Sequence, residues 1–214
     1  MDPVSGNSES FTVMPVMKTR LICWLVLFAV TFTPVRAADW MTSPKASVLA
    51  VGGSMMNANH FADSTLPAMR AHYAGTKTVA LVLHPSHVAD RDKMERRLKE
   101  AFKHLGGQEA FSLHRFDPEE ANRRLAAADA VFLGGGDTFM FLRVLYETGQ
   151  LGILRQRILE GVPVAGSSAG ANVMGPVIGT TNDFPVTDVP TRRSLAVIPV
   201  LINPHHPLPE AESA

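Results

Sequence analysis

The chain has 214 residues, of which 46% are hydrophobic and 19% charged, and its 20 basic residues balance its 20 acidic ones. This composition is that of one globular domain and excludes a disordered chain. A net charge of zero provides no surplus of positive charge for nucleic acid or an anionic membrane surface, so neither is expected as a partner.

The first 37 residues are typical of an N-terminal extension followed by a secretory signal peptide. Two basic residues precede the apolar run LICWLVLFAVTF at 21–32, which is too short to span a bilayer as a helix. The small residues of VRA predict cleavage after Ala37, and Met17 is the expected start of translation. We therefore expect an exported protein, periplasmic or secreted, without a stable membrane anchor; a retained anchor is the alternative.

The cysteine content limits the kinds of site that the predicted domain, 38–214, can contain. The only cysteine, Cys23, lies in the apolar run and would leave with the signal peptide. A mature protein without cysteine excludes disulfides, a cysteine nucleophile and thiolate metal ligands. The histidine pairs lack the spacing of a zinc site, so no metal is predicted. The methionines, among them Met55, Met56 and Met94, are predicted to fill core or helix-face positions.

Short apolar runs alternate with helical patterns along this domain. The runs that predict strands, several of them closed by glycine or proline, are 47–53, 78–85, 110–114, 130–133 and 162–166. The spacing of apolar residues predicts helices over 90–105, 118–127, 138–148 and 153–161. This alternation indicates a parallel sheet covered by helices on both faces. The motifs GGGD and GSSAG both follow predicted strands, at the edge where such sheets bind ligands.

The sequence GSSAG at 166–170 matches the pattern G-x-S-x-G, with Ser168 in the nucleophile position. A sharp turn from strand to helix projects the serine hydroxyl, and only very small flanking residues let the backbone close. The helix predicted to start at Ser168 would direct its free amides at the reaction site. A small polar loop without catalytic function is the alternative, and Ser167 is expected to be a structural hydroxyl.

A serine nucleophile needs a base, and two residues downstream are candidates. Asp183 in TTNDFP lies 15 residues after Ser168, and His205 in INPHH lies 22 residues after Asp183. The order serine, aspartate, histidine is that of the α/β-hydrolases, but that fold inserts strand-helix units between these residues, so the spacing disfavours it. Taken alone, Asp183 is also compatible with a turn residue and His205 with a capping group.

Four segments, in this order, resemble the dipeptidase E group of the S51 serine peptidases, whose relatives include the cyanophycinases. They are FLGGGDTF at 132–139, GSSAGANVM at 166–174, GTTNDFPV at 179–186 and IPVLINPHH at 198–206. The resemblance runs from about Ser47 to His205. The serine motif is shared with many hydrolases, whereas TTND and INPH, at these distances from the serine motif, are much more specific to dipeptidase E.

The resemblance implies a role for each residue of the site. Ser168 would be the nucleophile, His205 its general base and Asp183 the third member of the triad. In this family, backbone amides hold the oxyanion, and the matching residues are Gly136, the last glycine of GGGD, and Ala169. Preorganised amides of this kind stabilise the negative charge that develops in the transition state.

The resemblance also implies fold and activity. The fold is the three-layer α/β/α sandwich of the class I glutamine amidotransferases, with a mostly parallel sheet. The activity is removal of N-terminal aspartate from Asp-Xaa dipeptides, without metal or cofactor. Asp137, Thr181 and Asn182, which lie in the same motifs, are candidate substrate-binding residues, and Arg192 and Arg193 are candidates to pair with the substrate aspartate. The oligomeric state is not predicted.

Two departures from the family pattern leave alternatives open. Asp137 stands where dipeptidase E tends to have asparagine, and GGD is closer to the cyanophycinases. The chain ends nine residues after His205, whereas the family continues through further helix and strand, so we expect the domain to be short at its C-terminal end. The alternatives are a cyanophycinase-like hydrolase of an aspartate-rich polymer and a truncated, non-catalytic homologue.

Overall fold

The structure, a computed structural model, describes residues 45–53 and 55–205. The predicted N-terminal extension and signal peptide, residues 1–37, and the last nine residues of the chain lie outside the described residues. Their boundaries stay predictions. Within the described part, no helix combines the length and the hydropathy needed to cross a membrane.

The described residues form short strands and helices that alternate along most of the chain. The strands are β1 Val48–Val51, β2 Met56–Asn57, β3 His60–Phe61, β4 Thr78–Val82, β5 Glu109–Ser112, β6 Ala130–Leu133 and β7 Val164–Ser167. The helices are α1 Leu66–His72, α2 Val88–Gly106, α3 Pro118–Ala127, α4 Thr138–Glu147, α5 Gln150–Glu160 and α6 Ala169–Asn172, with a 3-10 turn at Leu113–Arg115.

Five strands form one sheet in the order β1-β7-β6-β4-β5, and every neighbouring pair is parallel. Successive residues of a strand face opposite sides of the sheet. In β4, Val79 and Leu81 pack with α1 and α2, whereas Ala80 and Val82 pack with the core formed by α3, α4, α5 and α6. The predicted three-layer α/β/α sandwich with a parallel sheet is therefore confirmed.

The boundaries differ from the prediction where local signals compete. α5 begins at Gln150, three residues early, because Gly149 adopts a φ of +72° and separates it directly from α4. β5 ends at Ser112, since the next residues turn into the 3-10 segment. The antiparallel pair β2–β3 and the seven-residue helix α1 were not predicted. The helix after the serine motif has only four residues, so its dipole is smaller than expected.

A buried tyrosine links the helical layer to the two central strands. The Tyr73 hydroxyl, at 0% exposure, donates to Val131 O of β6 at 2.7 Å and accepts from Ala165 N of β7 at 3.1 Å. Burial raises the pKa of this phenol, so the hydroxyl keeps the proton that it donates. Because β7 carries the serine motif, Tyr73 helps to fix the strand from which the site is built.

We expect Tyr73→Phe to lower the free energy of unfolding by about 1–3 kcal/mol, because both buried hydrogen bonds are lost. Urea unfolding followed by circular dichroism measures the change. Tyr146→Phe is the matched control: its hydroxyl donates to Arg193 O at an exposed position, and a change below about 0.5 kcal/mol is expected. Equal losses in the two variants would contradict this role of Tyr73.

Candidate active site

Ser168 occupies a sharp turn between β7 and α6. Its backbone has φ +54° and ψ −115°, a conformation that L residues rarely adopt. The turn is held because Ser168 N donates to Val51 O, at the end of neighbouring strand β1, at 2.9 Å. Strain of this kind costs on the order of 1–3 kcal/mol and is characteristic of functional positions. The geometry is that of a nucleophile elbow.

The glycines of the motif are required by close backbone contacts. A Cβ atom on Gly170 would lie 2.3 Å from Leu133 O, the last carbonyl of β6, and one on Gly166 would lie 2.5 Å from Gly170 O. Both distances are far below van der Waals contact, so neither position accepts a side chain. The elbow therefore packs its backbone directly against the end of the next strand in the sheet.

His205 reaches the serine from a separate loop. Its Nε2 lies 2.8 Å from Ser168 Oγ, and its backbone N donates to Gly52 O at 3.0 Å. His205 also has a positive φ, +59°. The loop is tied to α6 because Asn172 Nδ2 donates to Ile202 O at 2.8 Å. The two residues predicted as nucleophile and base are thus brought into hydrogen-bond contact, as a serine hydroxyl activated by an imidazole requires.

Asp183 is not joined to His205 by a hydrogen bond between described residues. Its Oδ2 instead accepts from Thr138 N at 2.8 Å, from Thr138 Oγ1 at 2.6 Å and from Thr181 Oγ1 at 3.0 Å. Thr138 is the first residue of α4, whose amide has no partner within the helix. The contacts of Asp183 are therefore those of a helix cap, and the structure gives no support to its predicted role in orienting the histidine.

The two predicted oxyanion donors are the backbone amides of Ala169, which follows Ser168, and Gly136, in the glycine turn after β6. Ala169 is the first residue of α6, where an amide has no intrahelical partner. Gly136 has φ +139°, and a Cβ on it would lie 2.1 Å from Pro85 O, so it must be glycine. Gly135 makes the closer approach to the serine, because a Cβ there would lie 3.3 Å from Ser168 Cβ.

The remaining predicted binding residues have structural partners. Asp137 caps α4 by accepting from Met140 N at 2.7 Å. Thr181 donates to Asp183, and Asn182 Nδ2 lies 3.5 Å from Asn203 Oδ1, at the long limit of a hydrogen bond.

Neither Arg192 nor Arg193 lines the pocket beside Ser168. The Arg192 guanidinium lies 5.7 Å from the centroid of the Phe139 ring instead.

A buried histidine lies behind the glycine turn. His84 precedes Pro85, whose carbonyl accepts from Asp137 N at 2.9 Å. Burial lowers the pKa of His84 to about 4, despite the opposing hydrogen bond between its Nε2 and Gln150 Oε1. The imidazole is therefore neutral near pH 7 and serves as a structural group.

One described cluster has the composition of a cation site. Ligand atoms of Asp92, Glu95 and His114 lie within 4.8 Å of one another. Arg115 contacts both carboxylates and Lys99 contacts Glu95, so the cluster already carries balancing cations. Burial raises the pKa of Glu95, but hydrogen bonds from Arg115 and Lys99 outweigh it and hold the pKa below its usual value. The cluster is best described as an ion-pair network.

A mainly apolar pocket of about 240 Å³ opens beside the serine. Its walls come from the β2 region, α2 and β6, with the elbow and the histidine at one side. The lining residues are Met55, Met56, Met94, Arg97, Leu98, Phe132, Gly134, Gly135, Ser167, Ser168 and His205. The site thus combines an activated hydroxyl with a side-chain-sized cavity, a combination suited to acyl transfer on a small substrate.

Comparison with known proteins assigns the chain to a family. The model described as Peptidase family S51 matches residues 48–213. The chain belongs to peptidase family S51. This confirms the family that the four motifs resemble.

Two curated relatives extend the S51 match. The Drosophila melanogaster protein named "Probable alpha-aspartyl dipeptidase" is 42% identical over 141 residues, which cover 65% of this chain and 57% of that protein. Peptidase E of Haemophilus influenzae is 35% identical over 162 residues, 74% of this chain and 72% of that protein. The chain therefore spans little more than half the length of the Drosophila relative.

A crystal structure of a peptidase E candidate from Listeria monocytogenes EGD-e shows the same fold. Its TM-score is 0.56 at 18% identity, and the match covers 72% of this chain and 75% of that one. At this identity the likeness concerns the fold alone.

Sequence reasoning missed the pocket of this S51 family member. Met55, Met56 and Met94 were predicted as core or helix-face residues, and they also line the cavity. The local sequence gives no indication that Arg97 binds a ligand, because a charged residue at this position fits the polar face of an ordinary amphipathic helix. The period of α2 could have indicated Met94 and Leu98 as one face, but it does not show that this face lines a pocket beside Ser168.

We expect Asn172→Ala to slow the reaction of Ser168 with a serine-directed fluorophosphonate by about 10- to 100-fold. The reason is that the loop carrying His205 loses its tie to α6, and a displacement of about 1 Å is sufficient for such a loss. Labelling kinetics followed by mass spectrometry measure the effect.

The control for this experiment is Asn122→Ala. The two asparagines are matched: each donates to a backbone carbonyl and each has a buried Oδ1 without a hydrogen-bond partner among the described residues. Asn172→Ala should lose more stability, since Asn172 is fully buried and also donates to Thr180 Oγ1. At a temperature at which both variants are folded, Asn122→Ala should label at the wild-type rate. Equal slowing in both would show that general destabilisation, and not the position of His205, is responsible.

Proposed function

We propose that the chain is a serine-type exopeptidase that hydrolyses dipeptides with an N-terminal aspartate. The observation that carries the proposal is the 2.8 Å contact between Ser168 Oγ and His205 Nε2 on a strained elbow. The name of the Drosophila relative, alpha-aspartyl dipeptidase, supports aspartate as the N-terminal residue, and the name Peptidase E of the Haemophilus relative supports peptide hydrolysis. The site's pocket is of a size for one side chain, which fits a dipeptide substrate.

The reaction proceeds through an acyl-enzyme. Ser168 Oγ attacks the carbonyl carbon of the aspartyl residue while His205 Nε2 takes the hydroxyl proton. The tetrahedral intermediate collapses with cleavage of the C–N bond, and His205 gives its proton to the leaving amine. A water molecule then attacks the ester while His205 takes its proton. Collapse of the second intermediate breaks the C–Oγ bond, His205 returns the proton to Ser168 Oγ, and aspartate is released.

Backbone amides of the two turns stabilise the oxyanion. Ala169 N follows the nucleophile directly, and the second donor comes from the glycine turn after β6, at Gly136 as the family pattern implies. Asp183 contributes indirectly: it caps α4 and so fixes the end of the glycine turn. Loss of one oxyanion donor lowers the catalytic rate constant by roughly 10²- to 10³-fold in enzymes of this kind.

The polymer-cleaving alternative is based on the predicted export signal, which lies outside the described residues, and on Asp137, whose contacts offer it no specific support. The carboxylate of that residue caps α4 through Met140 N, so its replacement of asparagine has a local structural explanation.

We expect Ser168→Ala to lower kcat for Asp-Leu hydrolysis about 10⁴-fold or more, because the nucleophile is lost. Ser167→Ala is the matched control at the adjacent serine. Its hydroxyl donates to Gly53 O at 2.8 Å and forms no hydrogen bond with His205 among the described contacts, so a loss of at most about tenfold is expected. Release of leucine, quantified by chromatography with the full chain, measures both.

Three results would each contradict one part of the proposal. Undiminished turnover in Ser168→Ala would remove the serine mechanism, and a larger loss in Ser167→Ala than in Ser168→Ala would reassign the nucleophile. Absence of Asp-Leu hydrolysis by the wild-type chain, with intact fluorophosphonate labelling of Ser168, would retain the nucleophile and reject the substrate.

A further inference from the structure

We infer that Arg97 holds a carboxylate of the substrate in the pocket beside Ser168, and so selects short acidic substrates. The inference rests on the proposed function and adds a specificity-determining residue to it. No motif of the sequence pointed to Arg97.

The pocket wall facing the serine is built from apolar side chains of three elements. Met55 and Phe132 are buried, and Met94 and Leu98 project from successive turns of α2. Unbranched methionine side chains adapt to ligands of different shape. A wall of this kind gives affinity for the hydrocarbon part of a substrate residue and little discrimination between side chains.

Arg97 is the only cationic side chain that lines this pocket among the described residues. Its Nε donates to Ala58 O at 2.8 Å, in the turn between β2 and β3. That bond fixes one edge of the guanidinium and leaves the two Nη groups for other partners.

No described carboxylate forms an ion pair with Arg97, in contrast to four other arginines of the described chain. Arg115, Arg124, Arg143 and Arg157 each pair with a glutamate or aspartate. An anchored guanidinium at an apolar cavity, with no carboxylate paired to it among the described residues, is therefore available to bind an anionic group of a substrate.

A carboxylate is the ligand that this arrangement fits best. The guanidinium offers parallel N–H donors in a fixed fork that matches the two oxygens of a carboxylate. The apolar wall lowers the local dielectric, so that the charge pair is stronger than it would be in water. An Asp-Xaa dipeptide has two such groups, the aspartate side chain and the C-terminal carboxylate, and the test distinguishes them.

Three substrates separate the two sources: Asp-Leu, Asn-Leu without the side-chain carboxylate, and Asp-Leu amide without the terminal one. We expect Arg97→Met to lower kcat/KM for Asp-Leu about 10- to 100-fold, mainly through KM, because an apolar residue of similar length cannot bind the anion. For the substrate that lacks the recognised carboxylate, the variant and wild type should differ by less than about threefold. Arg97→Lys, which keeps the charge, should recover part of the loss for Asp-Leu.

Arg96→Met is the control, because Arg96 is an exposed neighbour on α2 that does not line the pocket. It should leave kcat/KM for all three substrates within about twofold of wild type. Thermal unfolding of each variant verifies that the fold is retained.

The inference is overturned if Arg97→Met hydrolyses Asp-Leu as wild type does, or if it loses the same factor on all three substrates. In either case Ser168→Ala still reports on the proposed function independently. An inactive Ser168→Ala variant beside a fully active Arg97→Met variant would leave the peptidase assignment intact and reject the subsite alone.

Discussion

The close approach of the turns that follow β6 and β7 is the constraint on which the site depends. With 2.3 Å between Leu133 O and a hypothetical Cβ on Gly170, the backbones touch and no side chain fits between them. Ser168 must therefore turn sharply at the end of its strand, and it does so at φ +54°. The hydrogen bond from Ser168 N to Val51 O of β1 offsets the conformational free energy of that strained backbone. A turn of this kind projects the serine hydroxyl from the end of the strand.

The contact between Ser168 and His205 depends on a second residue with a strained backbone. His205 also has a positive φ, and its backbone N donates to the carbonyl of Gly52, the residue that follows β1, whose last residue, Val51, accepts from Ser168 N. The backbone amides of Ser168 and His205 thus donate to two consecutive carbonyls, Val51 O and Gly52 O, where β1 ends. This common support explains how a loop histidine keeps a 2.8 Å contact without belonging to a helix or strand itself. Strain at both positions is tolerated because the surrounding bonds over-determine them.

Sequence reasoning succeeded where structure is encoded locally. Local sequence determines the conformation of the apolar runs in β4, β6 and β7 and of the glycines in the elbow. The sheet, the layers and the serine turn were therefore predictable. The pair β2–β3 was not, because two-residue strands have no period, and α1 has only seven residues. Nor was the placement of Arg97, whose guanidinium depends on a carbonyl 39 residues away in that unpredicted turn.

The contacts of Asp183 give a structural reason for the position of its motif, beside the triad role that the family resemblance implies. Its segment joins three parts of the site: Asp183 binds Thr138 at the start of α4, and Thr180 connects Asn172 of α6 to Ile202 O, ahead of the histidine. A segment with these contacts must lie at a fixed distance from both the elbow and the histidine loop, whether or not its carboxylate touches the imidazole. The motif spacing therefore follows from assembly of the scaffold, and an aspartate between a serine and a histidine is insufficient evidence of a charge-orienting role.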